Sequence, residues 1–245
     1  TLGQSGMQIP LLDQEDPQFP DPRRALVEPD GLLAAGGNLS PATLINAYRQ
    51  GIFPWFQDDD PILWWSPATR CVIQPSTFHR SKSLAKTLRR TDYSVTSNRA
   101  FEEVISACSD PRDMEGETWI TEEMIEAYCD LHKQGYAHSV EVWREDSLVG
   151  GLYGIAIGSL FCGESMFSRS ANASKIAMAH LCRWGCESGL ELIDCQLVNS
   201  HLLSLGAESI SREVFLTQLH SNRDRVVGWD FLGSAESPQR LAFTW

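Results

Sequence analysis

"AHSVEVWREDSLVGGLYGIAIGSLFCGESMFS", residues 137–168, carries the pattern from which the fold is read. Apolar and polar side chains alternate with a period of two on both sides of a polar turn at Glu145-Asp146, as in an antiparallel hairpin. A third strand is predicted over residues 160–168, then a long helix from about Ala171 to Ser188, then a strand over "LELIDCQLV", residues 190–198. Antiparallel strands followed by a helix and one more strand predict a mixed sheet with helices packed on it, an α+β fold.

Upstream, "DYSVTSN" (92–98) predicts a strand, and "RAFEEVISACSD" (99–110) and "TEEMIEAYCDLHKQG" (121–135) predict helices, the second capped by Thr121. Residues 1–85 are read as a smaller N-terminal domain, and residues 86–245 as the main one. The N-terminal part opens with an extended arm carrying Pro10, Pro17, Pro20 and Pro22. Its helix, within "NLSPATLINAYRQG" (38–51), has Ser40 to cap it, Pro41 in the first turn and Gly51 to end it. Short strands are expected around it, one of them near "CVIQP" (71–75), with two short helical segments and an irregular tail after residue 198.

Composition narrows the function classes. The 245 residues carry a formal net charge of −12, which argues against binding nucleic acid over the whole surface. The exception is "HRSKSLAKTLRR" (79–90), where Arg80, Lys82, Lys86, Arg89 and Arg90 occur with no acid among them. Helical spacing spreads four of these over one broad face, either a solvated face or one that binds phosphate. The run lengths are too short for a membrane span of roughly 18 apolar residues, and no basic-then-apolar signal pattern opens the chain. The seven cysteines are odd in number and lack a C-x-x-C pair, so free thiols in a reducing, cytoplasmic compartment are expected. The six scattered histidines have no zinc spacing, and neither a Walker loop nor G-x-G-x-x-G is present.

Two core strands are interrupted by acids. Glu164 sits in the apolar run "LFCGESMFSR", where an ionised carboxylate is expensive unless paired or functional. Asp194 and Gln196 lie two apart in "LIDCQLVN", so strand alternation predicts one shared face, with Ile193, Cys195 and Leu197 on the other. Each alone reads as a buried polar group satisfying a loop; together they suggest a shared site. Trp55 and Trp119 read as core residues or as platforms for a nucleotide base.

At "EPDGLLAAGGNLSPATLINAYRQGIFPWF", "ILWWSP", "ETWIT", "LFCGESMFSR", "NASK" and "LIDCQLVNSHLLSLGA" the chain resembles the bacterial leucyl/phenylalanyl-tRNA–protein transferases, from about Glu28 to Arg212. The resemblance implies a small N-terminal domain joined to an acetyltransferase-like (GNAT-type) domain. It implies transfer of Leu or Phe, and less well Met, from aminoacyl-tRNA to the N-terminal Arg or Lys of a protein, marking it for N-degron degradation. Asp194 and Gln196 match the family's catalytic pair, and Glu164 an acid in the aminoacyl-adenosine site. Trp55 and Trp119 match aromatics around the tRNA 3′ end. Leu152, Phe161, Met166, Met178 and Leu181 fall at the apolar side-chain pocket, Leu152 and Leu181 standing where Met and Phe are expected. No cofactor is implied, because an aminoacyl ester is already activated; a monomer without membrane attachment is expected. The competing readings are an acyl-CoA N-acetyltransferase, disfavoured because the "FSRSANASK" link has no glycine for a pyrophosphate, and a non-catalytic tRNA-binding adaptor.

Overall fold

The computed structural model describes residues 8–110 and 120–245, without the side chains of Asp230 and Phe231. Two sheets organise them. The smaller has four short strands, β1 (Leu11–Leu12), β2 (Leu32–Gly36), β3 (Phe53–Pro54) and β4 (Leu63–Trp65), in the order β1-β2-β4-β3. The larger has eight: β5 (Thr69–Ile73), β6 (Ser94–Ser97), β7 (Ala137–Arg144), β8 (Ser147–Ile157), β9 (Leu160–Ser168), β10 (Leu192–Gln196), β11 (Glu208–Ser211) and β12 (Gln239–Arg240). Their order is β11-β5-β10-β9-β8-β7-β6-β12. Of these pairings only β9–β10 is parallel, because a long helix carries the chain from the end of one strand back to the start of the other. The mixed sheet read from residues 137–198 is therefore present.

The helices are α1 (Pro41–Arg49), α2 (Lys82–Leu88), α3 (Phe101–Ser109), α4 (Glu122–Lys133), α5 (Ala173–Ser188), α6 (Ser200–Ser204) and α7 (Arg212–Asn222). Ser40 caps α1 and Thr121 caps α4, each side-chain oxygen accepting a backbone N–H of the first turn. One face of the large sheet, with Tyr153, Cys162 and Leu192, packs under α1, α3, α4 and α7. The opposite face, with Leu152, Phe161 and Ile193, packs under α2, α5 and part of the tail. Strand alternation and helical stripes thus yield a sheet buried on both sides.

Three expectations change. The "CVIQP" strand does not join the N-terminal strands: β5 lies deep in the large sheet, between β10 and β11. Its run of buried residues, Arg70 to Ile73, reflects that two-sided burial. The tail is less irregular than expected, since β12 adds an edge strand to β6. Finally, the alternation predicted for residues 193–197 breaks at a β-bulge between Asp194 and Gln196, and Gln196 takes a left-handed φ of 64°.

Candidate active site

The β9–β10 ladder runs from Leu160/Leu192 to Cys162/Asp194 and stops there. Both strands are distorted at that point. In β9, Gly163 pairs with Gly154 and Ser165 with Tyr153, which leaves Glu164 as the extra residue of a bulge. A Cβ on Gly154 would stand 2.3 Å from the Cys162 carbonyl oxygen and 2.6 Å from the Phe161 ring, so glycine permits the close approach here. In β10, Cys195 is the extra residue, and the positive φ of Gln196 turns the chain away. Bulges re-aim side chains, and these two open a cavity where the parallel strands part.

The cavity holds about 370 Å³, within the range of roughly 300–1,000 Å³ usual for small-ligand pockets. Leu152, Phe161, Met166 and Met178 form an apolar side toward α5, and Trp55, 40% exposed, stands at its wall. Glu164 and Gln196 supply polar groups. Of the predicted pocket residues, Leu181 is fully buried in α5 and does not line the cavity. Trp119 lies outside the described residues. Asp194 is buried behind the cavity wall, and Cys195, Gln196 and Leu197 all line it. The shared face expected for Asp194 and Gln196 is lost to the bulge.

Glu164 is the electrostatic centre. Its Oε1 accepts hydrogen bonds from Tyr48 Oη at 2.5 Å and from Gln196 Nε2 at 3.0 Å. Its Oε2 is buried and has no hydrogen-bond partner. Burial pushes the carboxyl up to about 8; the Tyr48 bond pulls it back, the Asp194 charge raises it, and the Gln196 bond opposes that rise. At neutral pH Glu164 is therefore mostly the neutral acid. A ligand ammonium reaching Oε2 would restore the carboxylate, so the arrangement can receive a small cation or a strong donor. Tyr48 is itself hydrogen-bonded to Tyr128, and burial drives both phenols well above their ordinary value, so they stay protonated.

Asp194 orients Gln196 through the main chain. Its Oδ1 accepts the Gln196 backbone N–H at 2.9 Å, while Arg70 grips both carboxylate oxygens, at 3.1 and 2.8 Å. Arg70, Tyr48 and Tyr128 are absent from the sequence-based site. An arginine inside the apolar "TRCVI" strand gave the same signal as Glu164, whereas the tyrosines sit in ordinary helical stripes. His201 also lines the cavity, its imidazole held below the usual range by burial and by nearby Lys175.

The basic cluster lies apart from the cavity. Lys82, Lys86 and Arg89 are exposed on or just after α2, whose Leu84 and Leu88 face the core. Arg90 pairs with Asp92 at 2.6 Å, and Arg80 lies over the Trp245 ring. Among the described residues no cluster of His, Cys, Asp and Glu could hold a metal ion, and no helix is long and apolar enough to cross a membrane. None of the seven cysteines forms a disulfide.

Residues 72–220 match the family model for leucyl/phenylalanyl-tRNA protein transferase, and residues 37–68 match its N-terminal domain. The leucyl/phenylalanyl-tRNA–protein transferase of Photobacterium profundum is 55% identical over 89% of this chain and 92% of that one. The enzyme of the same name from Idiomarina loihiensis is 53% identical over 94% of this chain and 98% of that one. Among solved structures, L-PGS from Bacillus licheniformis is similar at 13% identity over 68% of this chain and 53% of that one. Its TM-score of 0.37 is too low to add to the strand order.

Proposed function

This chain belongs to the leucyl/phenylalanyl-tRNA–protein transferase family, and on that premise we propose that it moves leucine or phenylalanine, and methionine less well, from the tRNA ester to the N-terminal Arg or Lys of an acceptor protein. It is an aminoacyltransferase that works from aminoacyl-tRNA to protein. The product would carry an N-degron for proteolysis in the cytoplasm. The observation that carries this reading is the unpartnered Glu164 Oε2 beside an apolar cavity, with the Gln196 amide next to it.

In this reading the aminoacyl side chain occupies the space among Leu152, Phe161, Met166 and Met178. Its α-amino group meets Glu164 Oε2, and Trp55 stacks on the terminal adenine. The acceptor's α-amine, with an ordinary pKa of about 7.7–8.0, is neutral often enough to attack the ester carbonyl with little base assistance. Because Gln196 donates Nε2 to Glu164, its Oε1 is the end left to accept an N–H of the attacking amine. Collapse of the tetrahedral intermediate forms the peptide bond and expels the tRNA ribose oxygen, which takes up the proton lost by the amine. The exposed cations Arg80, Lys82, Lys86 and Arg89, with Arg90, are assigned to the tRNA backbone.

We carry the acetyltransferase-like (GNAT-type) description of residues 86–245 within the same proposal. The crossing of α5 between parallel β9 and β10 supports it, whereas β5 in the large sheet favours a boundary ahead of residue 69 over one near 85.

Mass spectrometry of an Arg-starting peptide tests the function. Incubation with leucyl-tRNA should add one leucyl group, and a Glu-starting peptide should gain nothing. An acetyl gain from acetyl-CoA in place of the leucyl gain would favour the acyl-CoA enzyme, and no gain from either would favour the adaptor.

A further inference from the structure

Arg70 is 1% exposed, and its guanidinium is bonded on three sides. Nε and Nη2 reach the two oxygens of Asp194, and Nη1 donates to the Gly51 carbonyl at 2.9 Å. The rings of Phe53 and Phe215 lie 4.9 and 4.2 Å from its central carbon. Burying such a pair is costly, and apolar residues of equal volume often stabilise a fold as well or better. Its geometry explains its presence here. Beyond the bulge Gln196 still pairs with Cys71 of β5, but its N–H turns to Asp194 Oδ1, and a non-glycine residue at a φ of 64° needs support to stay there. Asp194 Oδ1 supplies that support, and Arg70 fixes the direction of Oδ1.

We infer that Arg70 is a positioning residue for the transfer reaction, holding Asp194 so that Asp194 locks the Gln196 turn and aims its amide at Glu164. This inference rests on the function proposed above. It also gives Asp194 a role as a fixed acceptor and not as a proton carrier, because both of its oxygens already face a permanent cation. Without Arg70 the Asp194 carboxylate is a buried, unpaired charge, the turn relaxes, and the Gln196 amide leaves its place.

The test compares Arg70→Met, Asp194→Asn, Asp194→Ala and the double variant Arg70→Met/Asp194→Asn in the full chain. Steady-state transfer of leucine to an Arg-peptide and amide hydrogen exchange at Gln196 are the two readouts. Arg70→Met should lower kcat about 100-fold, the scale of a misplaced catalytic group, with KM for leucyl-tRNA unchanged. Exchange at the Gln196 amide should speed up. The double variant removes the unpaired charge yet keeps an oxygen for the Gln196 N–H, so it should recover kcat at least tenfold over Arg70→Met and restore protection. Asp194→Asn should stay well above Asp194→Ala. Should Arg70→Met fail to fold, Arg70→Lys, which keeps the charge but not the two-point grip, should show the same kcat loss and faster exchange.

Wild-type kcat with unchanged exchange in Arg70→Met or Arg70→Lys overturns the inference. So does an Asp194→Asn variant as inactive as Asp194→Ala, together with no recovery in the double variant, because Asp194 then carries the proton. Absence of leucyl transfer by the wild type would instead fail the proposed function, and exchange at Gln196 would still decide the Arg70 linkage.

Discussion

The Tyr48 hydroxyl, on a helix of the N-terminal region, donates a 2.5 Å hydrogen bond to Glu164 Oε1 in the β9 bulge. One side chain thereby ties the position and the acidity of Glu164 to a segment more than 100 residues earlier in the chain.

Removing that bond raises the pKa of Glu164 further, because the Tyr48 bond is the leading influence that lowers it. If substrate binding needs the carboxylate, the acidic limb of kcat/KM against pH, near 8 in the wild type, moves to higher pH in Tyr48→Phe. A profile unchanged from the wild type would separate Glu164 ionisation from the reaction.

Stability against pH provides a second readout that needs no substrate. The folded Glu164 pKa of about 8 lies above its unfolded value, so its contribution is complete below pH 4.5 and is lost as pH rises toward 8. His138 and His180, pushed down to about 4 by burial, act oppositely: stability rises from pH 4 to 6.5 as the unfolded histidines lose their protons. Between pH 6.5 and 8 the Glu164 contribution stands apart from theirs. Wild-type stability should fall there by roughly 1–2 kcal/mol, and Glu164→Gln should flatten the decline. Parallel denaturation curves for the two proteins would refute the buried neutral acid.

Gln196→Gly and Gln196→Ala should both lose most transfer while leucyl-tRNA affinity stays near the wild-type value. The glycine variant keeps the left-handed backbone without strain, whereas alanine at a φ of 64° costs about 1–2 kcal/mol. Equal activity loss with unequal melting temperature assigns the effect to the amide. Transfer at the wild-type rate by the glycine variant would remove Gln196 from the site.

The apolar side of the cavity should discriminate at Cβ. Leu, Phe and Met carry a CH₂ there, while Val and Ile are branched and stiff. Leucine should be preferred over isoleucine from matched tRNAs by a graded factor, since one methylene is worth about 1–3 kcal/mol. Met178→Ala, which removes a cavity-lining side chain, should shift the preference from leucine toward phenylalanine. Equal transfer of isoleucine and leucine by the wild type would rule out this cavity as the side-chain site.

Lys82, Lys86 and Arg89 are exposed cations of the basic cluster, whereas Arg80 lies over the Trp245 ring and Arg90 is already engaged by Asp92. Replacing those three by alanine should weaken binding of full-length tRNA. It should also flatten the salt dependence by about 0.7–0.9 log units per log unit of salt for each lost contact. Transfer from a minimal aminoacyl-adenosine donor should persist. Unchanged affinity and salt slope would make the cluster a solvated helix face.

Periodicity carried most of the architecture. The hairpin at residues 137–157, the caps of α1 and α4, and the strand–helix–strand from 160 to 196 follow from alternation and capping alone. Glu164 and Gln196 stood out because polar residues in apolar strands are expensive. Both bulges escaped notice, since a bulge is a defect in pairing and needs the partner strand to be seen; with them went the true placement of Asp194. Tyr48 and Tyr128 were hidden for a different reason. A tyrosine in an amphipathic stripe packs like any apolar residue, and only the fold reveals what its hydroxyl meets.

Arg70 falls in the gap between the two segments matched by the family's models, residues 37–68 and 72–220. Its grip reaches backward to the Gly51 carbonyl and forward to Asp194. Two pieces that look separable in sequence are thus joined through one side chain. A recombination event joining the first piece of one relative to the second piece of another must match the Gly51 and Tyr48 contacts across the seam. Chimeras with a breakpoint there should succeed only between parents whose backbones place those two contacts alike, whatever their overall identity.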